Sequence, residues 1–213
     1  MPSSIEGEIN PNNAEACLRA HKAGKGILLL VLHMGNWEAC GRWLTRNLPA
    51  VNAITRRQKP EWFAELVHET RKDIGYHEID NKNALRPSLR ALRNGEMVIM
   101  LIDHYIRRGA VQVDFFGHPA MTSAAAALLA MKTGCAVLVG ACYRNGDGSW
   151  GCEFSDPVET LMTGNRERDY IANTQRYVDI MEQFVRQHPG DWMWMHNRWK
   201  KPRGPIRAME PLD

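Results

Sequence analysis

The chain has 213 residues, 44% apolar and 24% charged, with a formal net charge of +3 at pH 7. This composition excludes a disordered or low-complexity chain and fits a soluble globular protein, with length for one domain and a sizeable core. So small an excess of base also gives poor support for a nucleic-acid-binding module.

A helical pattern from Ala14 to Lys22 ends at the breaker Gly24-Lys25-Gly26. Ile27 to Leu32 is a short continuous apolar run, the pattern of a fully buried strand. Asn36 is a good N-cap for a helix from Trp37 to Asn47, and Val51 to Thr55 reads as a second strand. Pro60 to Ile74 forms an amphipathic helix stopped by Gly75, with Trp62, Phe63, Leu66, Val67, Thr70 and Ile74 as the apolar stripe that such a helix normally turns to the core. A short strand is expected at Tyr76 to Ile79, a helix at Pro87 to Arg93, and a buried strand at Glu96 to Ile102. Thr122 to Lys132 reads as an alanine-rich helix opened by a Thr-Ser cap. Cys135 to Cys142 is a buried strand, Gly151 to Phe154 a neighbour of it, and about Glu167 to Gln187 a long helix. Strands alternating with helices predict one α/β domain over residues 1–213, with a central, largely parallel sheet flanked by helices.

The five cysteines contain no CxxC pair and no disulfide framework, which points to a reducing, cytoplasmic setting. No signal peptide is expected in Met1 to Asn13, and the longest apolar run is too short to cross a bilayer. Between His196 and Arg207 the bases Arg198, Lys200, Lys201, Arg203 and Arg207 stand without an acid. Such a tail fits an anionic lipid surface, a nucleic acid or an acidic protein, and equally a solvated end.

Chemistry in open α/β sheets gathers where strands end at the carboxyl edge. Two strand ends carry suitable groups. His33 is the first polar residue after the run Ile27 to Leu32, Gly35 allows a tight turn, and Glu38 follows in the first helical turn. A carboxylate on one imidazole nitrogen fixes the tautomer and frees the other nitrogen to take a proton. On a continuous helix positions five apart point about 140° apart, so the turn at Gly35 must bring His33 and Glu38 together. By spacing alone, His33 reads equally as a satisfied strand-end histidine and Glu38 as a helix-dipole carboxylate. Asp103-His104 ends the second strand, where Asp103 could anchor a cation or accept from an arginine. Arg71, at the edge of its helix's apolar stripe, has a stem that can pack while the guanidinium reaches a carboxylate or phosphate. No G-x-S-x-G elbow, P-loop or dinucleotide fingerprint is present. No close pair such as H-E-x-x-H supports a metal site among His33, Glu38, Asp103, His104 and His118, and none is expected.

Together these residues resemble the lipid A biosynthesis acyltransferases of the lysophospholipid acyltransferase superfamily, from about Gly26 to Lys201. His33-Met34-Gly35-Asn36-Trp37-Glu38 looks like the family's His-x4-Glu/Asp signature. Gly95 to Val98, Ile102-Asp103-His104 and Trp192 to Lys200 are similar to later family segments in order and spacing, and Val113 to Ala120 resembles the family's loop before the small-residue helix. The resemblance implies a glycerolipid acyltransferase-like fold. It implies transfer of a fatty acyl chain from acyl carrier protein or coenzyme A to a hydroxyl of a membrane glycolipid, such as a lipid A precursor. The setting would be the cytoplasmic face of the bacterial inner membrane, with peripheral contact to anionic lipid, no nucleic acid and no cofactor beyond the acyl co-substrate. It further implies His33 as general base and Glu38 as its orienting partner. Arg71, Asp103, Asn36 and Gly35 become further active-site or substrate-binding residues, with Arg56 and Arg57 competing for the position of Arg71. Family members normally begin with a membrane-spanning helix, which this sequence is expected to lack. The alternatives are a non-catalytic lipid-binding domain and an acyltransferase acting on another lipid acceptor.

Overall fold

The computed structural model describes residues 9–201. Its centre is a seven-stranded sheet in the order β1-β9-β8-β2-β5-β3-β4. The strands are β1 (Ile9–Asn12), β2 (Ile27–Val31), β3 (Val51–Thr55), β4 (His77–Asp80), β5 (Met97–Leu101), β8 (Ala136–Arg144) and β9 (Trp150–Phe154). All neighbouring pairs are parallel except β8 with β9, so the expected largely parallel sheet is what the chain forms. Strand β2 lies between β8 and β5 with every residue buried, which is why its sequence is apolar without alternation.

Helices α1 (Ala14–Lys22), α2 (Trp37–Asn47), α3 (Glu61–Ile74), α4 (Leu85–Arg93), α5 (Ala125–Thr133) and α6 (Arg166–Gln187) complete the layers. One core contains Cys17, Leu29, Val31, Cys40 and Leu44, from α1, α2 and one face of the sheet. The other contains Leu28, Leu30, Leu92, Leu128 and Val178, from the opposite face with α4, α5 and α6. Burying both faces is what lets a short parallel sheet hold together. All five cysteines are free and buried. None of the described helices is long and apolar enough to cross a membrane.

Three expectations need correction. The segment Val113 to Ala120 is no loop: β6 (Ala110–Phe115) and β7 (His118–Ser123) form a hairpin that packs on α6. Its two turn residues, Phe116 and Gly117, have φ of 57° and 74°, the positive pair that a tight two-residue hairpin requires. Thr122 and Ser123 therefore end a strand, although the Ser123 hydroxyl still accepts from the Ala125 amide at 3.3 Å. The third correction concerns α3. It packs chiefly on α2, and of its apolar stripe only Ile74 is buried. Trp62 is 70% exposed and Leu66 54%.

Candidate active site

Parallel register builds the site. Val31 of β2 pairs with Leu101 of β5, and both chains run two residues further, to His33 and Asp103. The two side chains meet across the sheet edge: His33 Nδ1 lies 2.7 Å from Asp103 Oδ1. Asp103 Oδ2 accepts from the His33 amide at 2.8 Å and from the Trp192 indole at 3.0 Å. Asp103 is only 2% exposed, so burial works against its charge. The hydrogen bonds from His33 and Trp192 outweigh that penalty and hold the carboxyl below its usual range. As a carboxylate it accepts the Nδ1 proton, which leaves Nε2 as the basic nitrogen of a ring that lines the main cavity.

The carboxylate that orients His33 is thus Asp103, where sequence spacing pointed to Glu38. Glu38 instead accepts from Arg71 Nε at 2.9 Å. Arg71 also reaches Glu78 at 3.3 Å, so it buttresses α2 against α3 and β4 while lining the cavity. Among the described residues, the hydrogen bonds to the Asp103 carboxylate come from His33 and Trp192 and none comes from an arginine.

Gly35 and Asn36 shape the turn and are not among the residues that line the cavity. Gly35 has φ of 55°, and a Cβ there would stand 2.3 Å from the Cys142 carbonyl oxygen. Its amide donates to the Asp191 carbonyl at 2.9 Å and so is not free to bind substrate. Asn36 caps α2 by accepting from the Ala39 amide at 3.1 Å.

The tail locks this turn. Met34 bridges Trp192, and the Met193 amide donates to the His33 carbonyl at 2.9 Å. Trp192 is buried against Asp103, whereas Trp194 is 52% exposed. Arg198, read from sequence as part of a basic surface, is 1% exposed. It donates to the Met121 carbonyl at 2.8 Å and to the Thr122 hydroxyl, and burial brings its pKa down to about 10. Lys200 and Lys201 remain exposed, while Arg203 and Arg207 lie outside the described residues.

His104, weighed from sequence as a strand-end residue, and His196, which the sequence did not single out, join the site. His104 stacks on His33 with ring centroids 3.7 Å apart and planes 10° apart, and His196 sits 3.7 Å from His104. Among the described residues the buried Nε2 atoms of His104 and His196 have no hydrogen-bond partner, and both residues line the cavity. The ligating atoms of His33, His104 and His196 all lie within 4.8 Å of one another, close enough to consider a metal ion. However, the rings of His33 and His104 occupy nearly parallel planes, so their lone pairs cannot aim at one ion without a ring turning. As it stands the cluster is a wall of neutral donors and acceptors beside one oriented base.

Burial, together with the neighbouring His33, brings the His104 pKa from 6.5 down to about 4. The unfolded chain therefore takes up this proton first as the pH falls. The stability due to neutral His104 is complete above pH 6.5 and is lost on acidification towards pH 4. Urea midpoints measured from pH 7 to pH 5 should fall, and His104→Gln should fall less steeply. Equal slopes in the two proteins would clear His104 of that acid sensitivity.

The cavity has a volume of about 1550 Å³. Ile54, Leu85, Met100, Leu101 and Leu129 give it apolar walls, and Arg56, Lys82 and Arg86 give it positive ones. Such a lining suits a molecule with a long apolar part and an anionic or polyhydroxyl part.

Comparison with known proteins agrees with this architecture. A family model described as bacterial lipid A biosynthesis acyltransferase matches residues 2–201. A phosphatidylinositol mannoside acyltransferase of Mycobacterium tuberculosis (strain CDC 1551 / Oshkosh) is 31% identical over 181 residues, which is 83% of this chain and 55% of that protein. One from Mycolicibacterium smegmatis (strain ATCC 700084 / mc(2)155) is 29% identical over 181 residues, 83% of this chain and 58% of that protein. The chain thus spans little more than half the length of these relatives. The crystal structure of the 1-acyl-sn-glycerophosphate (LPA) acyltransferase PlsC from Thermotoga maritima aligns with a TM-score of 0.50 at 14% identity. That alignment covers 89% of this chain and 75% of that one, and it is a likeness of fold.

Proposed function

The chain belongs to the bacterial lipid A biosynthesis acyltransferase family, and from that membership we propose that it moves a fatty acyl chain from a thioester to a glycolipid hydroxyl. The observation that carries the reading is the His33–Asp103 contact at 2.7 Å, which presents an oriented base in a cavity with apolar and cationic walls. His33 Nε2 takes the proton of the acceptor hydroxyl as that oxygen attacks the thioester carbonyl carbon. Asp103 stabilises the imidazolium that forms. The tetrahedral intermediate then collapses with loss of the thiolate, which receives the proton from His33. Ester and thiol are the products, and no acyl-enzyme is needed because a thioester is already activated.

The developing oxyanion needs donors already in place. The Gly35 amide is committed to Asp191 and Arg71 to two carboxylates, so we assign that role to the unpartnered nitrogens of His104 and His196. Acyl carrier protein or coenzyme A is the proposed donor carrier. The acceptor is a membrane glycolipid: a lipid A precursor is the acceptor implied by the family's description, and phosphatidylinositol mannoside is the one named for the relatives. We place the reaction at the cytoplasmic face of the inner membrane, with the protein held peripherally.

Incubation with acyl carrier protein or coenzyme A carrying a labelled acyl group, plus membrane lipid extract, tests this. An alkali-labile label in a glycolipid is expected, and its headgroup identifies the acceptor. Release of free fatty acid alone, with no labelled lipid, would refute acyl transfer to lipid.

A further inference from the structure

The exposed stripe of α3 is the largest departure from what the sequence led one to expect. An aromatic and a leucine one turn apart normally sit in a core, yet Trp62 and Leu66 are 70% and 54% exposed. Phe63, about 60° beyond Leu66 around the helix, lines the cavity that holds His33. The apolar patch is therefore continuous with the wall of the candidate active site, and it stands at the edge of its entrance.

The arginines and lysines that line the cavity face no lining carboxylate. Arg56 and Lys59, just before the helix, are exposed, as are Lys82 and Arg86 across the cavity. The acids of α3 do not cancel this. Glu61 and Glu65 share Arg57, which leaves one net negative charge there against Arg56 and Lys59, and Glu69 pairs with Lys72. Exposed Trp and Leu beside unpaired cations is the pattern of a helix that lies in the headgroup region of an anionic bilayer. The tail offers a poorer surface, since its Arg198 is consumed inside the protein.

We infer that the N-terminal half of α3, through Trp62 and Leu66 with Arg56 and Lys59 beside them, docks on an anionic lipid bilayer and sets the cavity entrance against it. The inference rests on the proposed lipid-directed function for its purpose. A lipid acceptor then passes from bilayer to cavity along Phe63 without its acyl chains crossing water.

Because the five native cysteines are buried, a thiol-reactive fluorophore can be directed to Leu66→Cys, with Ile171→Cys on α6 as the comparison position. The full chain is mixed with vesicles of phosphatidylcholine containing 30% phosphatidylglycerol, and with phosphatidylcholine vesicles alone. The probe at position 66 should shift to the blue and be quenched by doxyl-labelled lipid in the anionic vesicles, and the probe at 171 should not. Trp62→Glu with Leu66→Glu should weaken vesicle binding by roughly tenfold or more. It should leave turnover on detergent-dispersed substrates unchanged. Three results would overturn the inference: no binding to anionic vesicles, binding with the position-66 probe still in water, or a probe already shielded without lipid. The last would mean that protein covers the patch. The vesicle measurements need no turnover, so docking without acyl transfer would condemn the proposed function and spare the docking face.

Discussion

His33→Ala should lower acyl-transfer turnover by about 10²–10⁴-fold, the usual worth of a positioned general base. The loss should fall on kcat, because the imidazole acts while the hydroxyl is being deprotonated and contributes little to holding either substrate. Folding should survive. The His33 ring is partly exposed on the cavity side, and the backbone bonds that lock its segment, His33 amide to Asp103 and Met193 amide to His33 carbonyl, do not use the ring. A matching circular dichroism spectrum and urea midpoint within about 1 kcal/mol of wild type would show this.

Asp103→Asn should cost about 10²-fold or more, and Glu38→Gln much less. The two substitutions separate what proximity in sequence confuses. An amide at position 103 can present its NH₂ to Nδ1, which favours the tautomer with the proton on Nε2 and removes the base. It also leaves the imidazolium without a counter-charge. Buried donors from Trp192 and the His33 amide then depend on one neutral oxygen, so a stability loss of about 1–3 kcal/mol is expected as well. Glu38→Gln removes a charge from Arg71, which keeps Glu78, and touches no group that holds His33. Its effect should appear in KM more than in kcat. If Glu38→Gln were the crippling change and Asp103→Asn the mild one, the assignment of the partner carboxylate would be reversed.

What the sequence revealed and what it concealed have different physical origins. Helices α1 and α2 and strand β3 have the bounds that capping residues and apolar runs predict, because those signals are local. The mostly parallel sheet also followed from local alternation of strand and helix. The partner of His33 did not, because it is set by the register of β2 against β5, between residues 70 positions apart. His-x4-Glu drew attention to a histidine that the structure pairs with a different carboxylate, Asp103.

Arg198 and Trp192 mislead for a related reason. A basic, aromatic tail looks like surface, but these two side chains fill polar and apolar sockets made by distant segments. His196 gave no spacing signal that would place it beside His104. Periodicity identified the apolar stripe of α3 correctly, yet amphipathicity says only that a face avoids water, not whether protein or lipid covers it.

The test that reaches furthest is a side-by-side measurement of labelled acyl transfer to membrane lipid by the wild-type chain and by His33→Ala, with one thioester donor and one lipid extract. Wild type should produce an alkali-labile labelled lipid, and the variant at least about 100-fold less of it. Equal labelling by the two proteins would contradict the assignment of the His33–Asp103 pair as the base for acyl transfer.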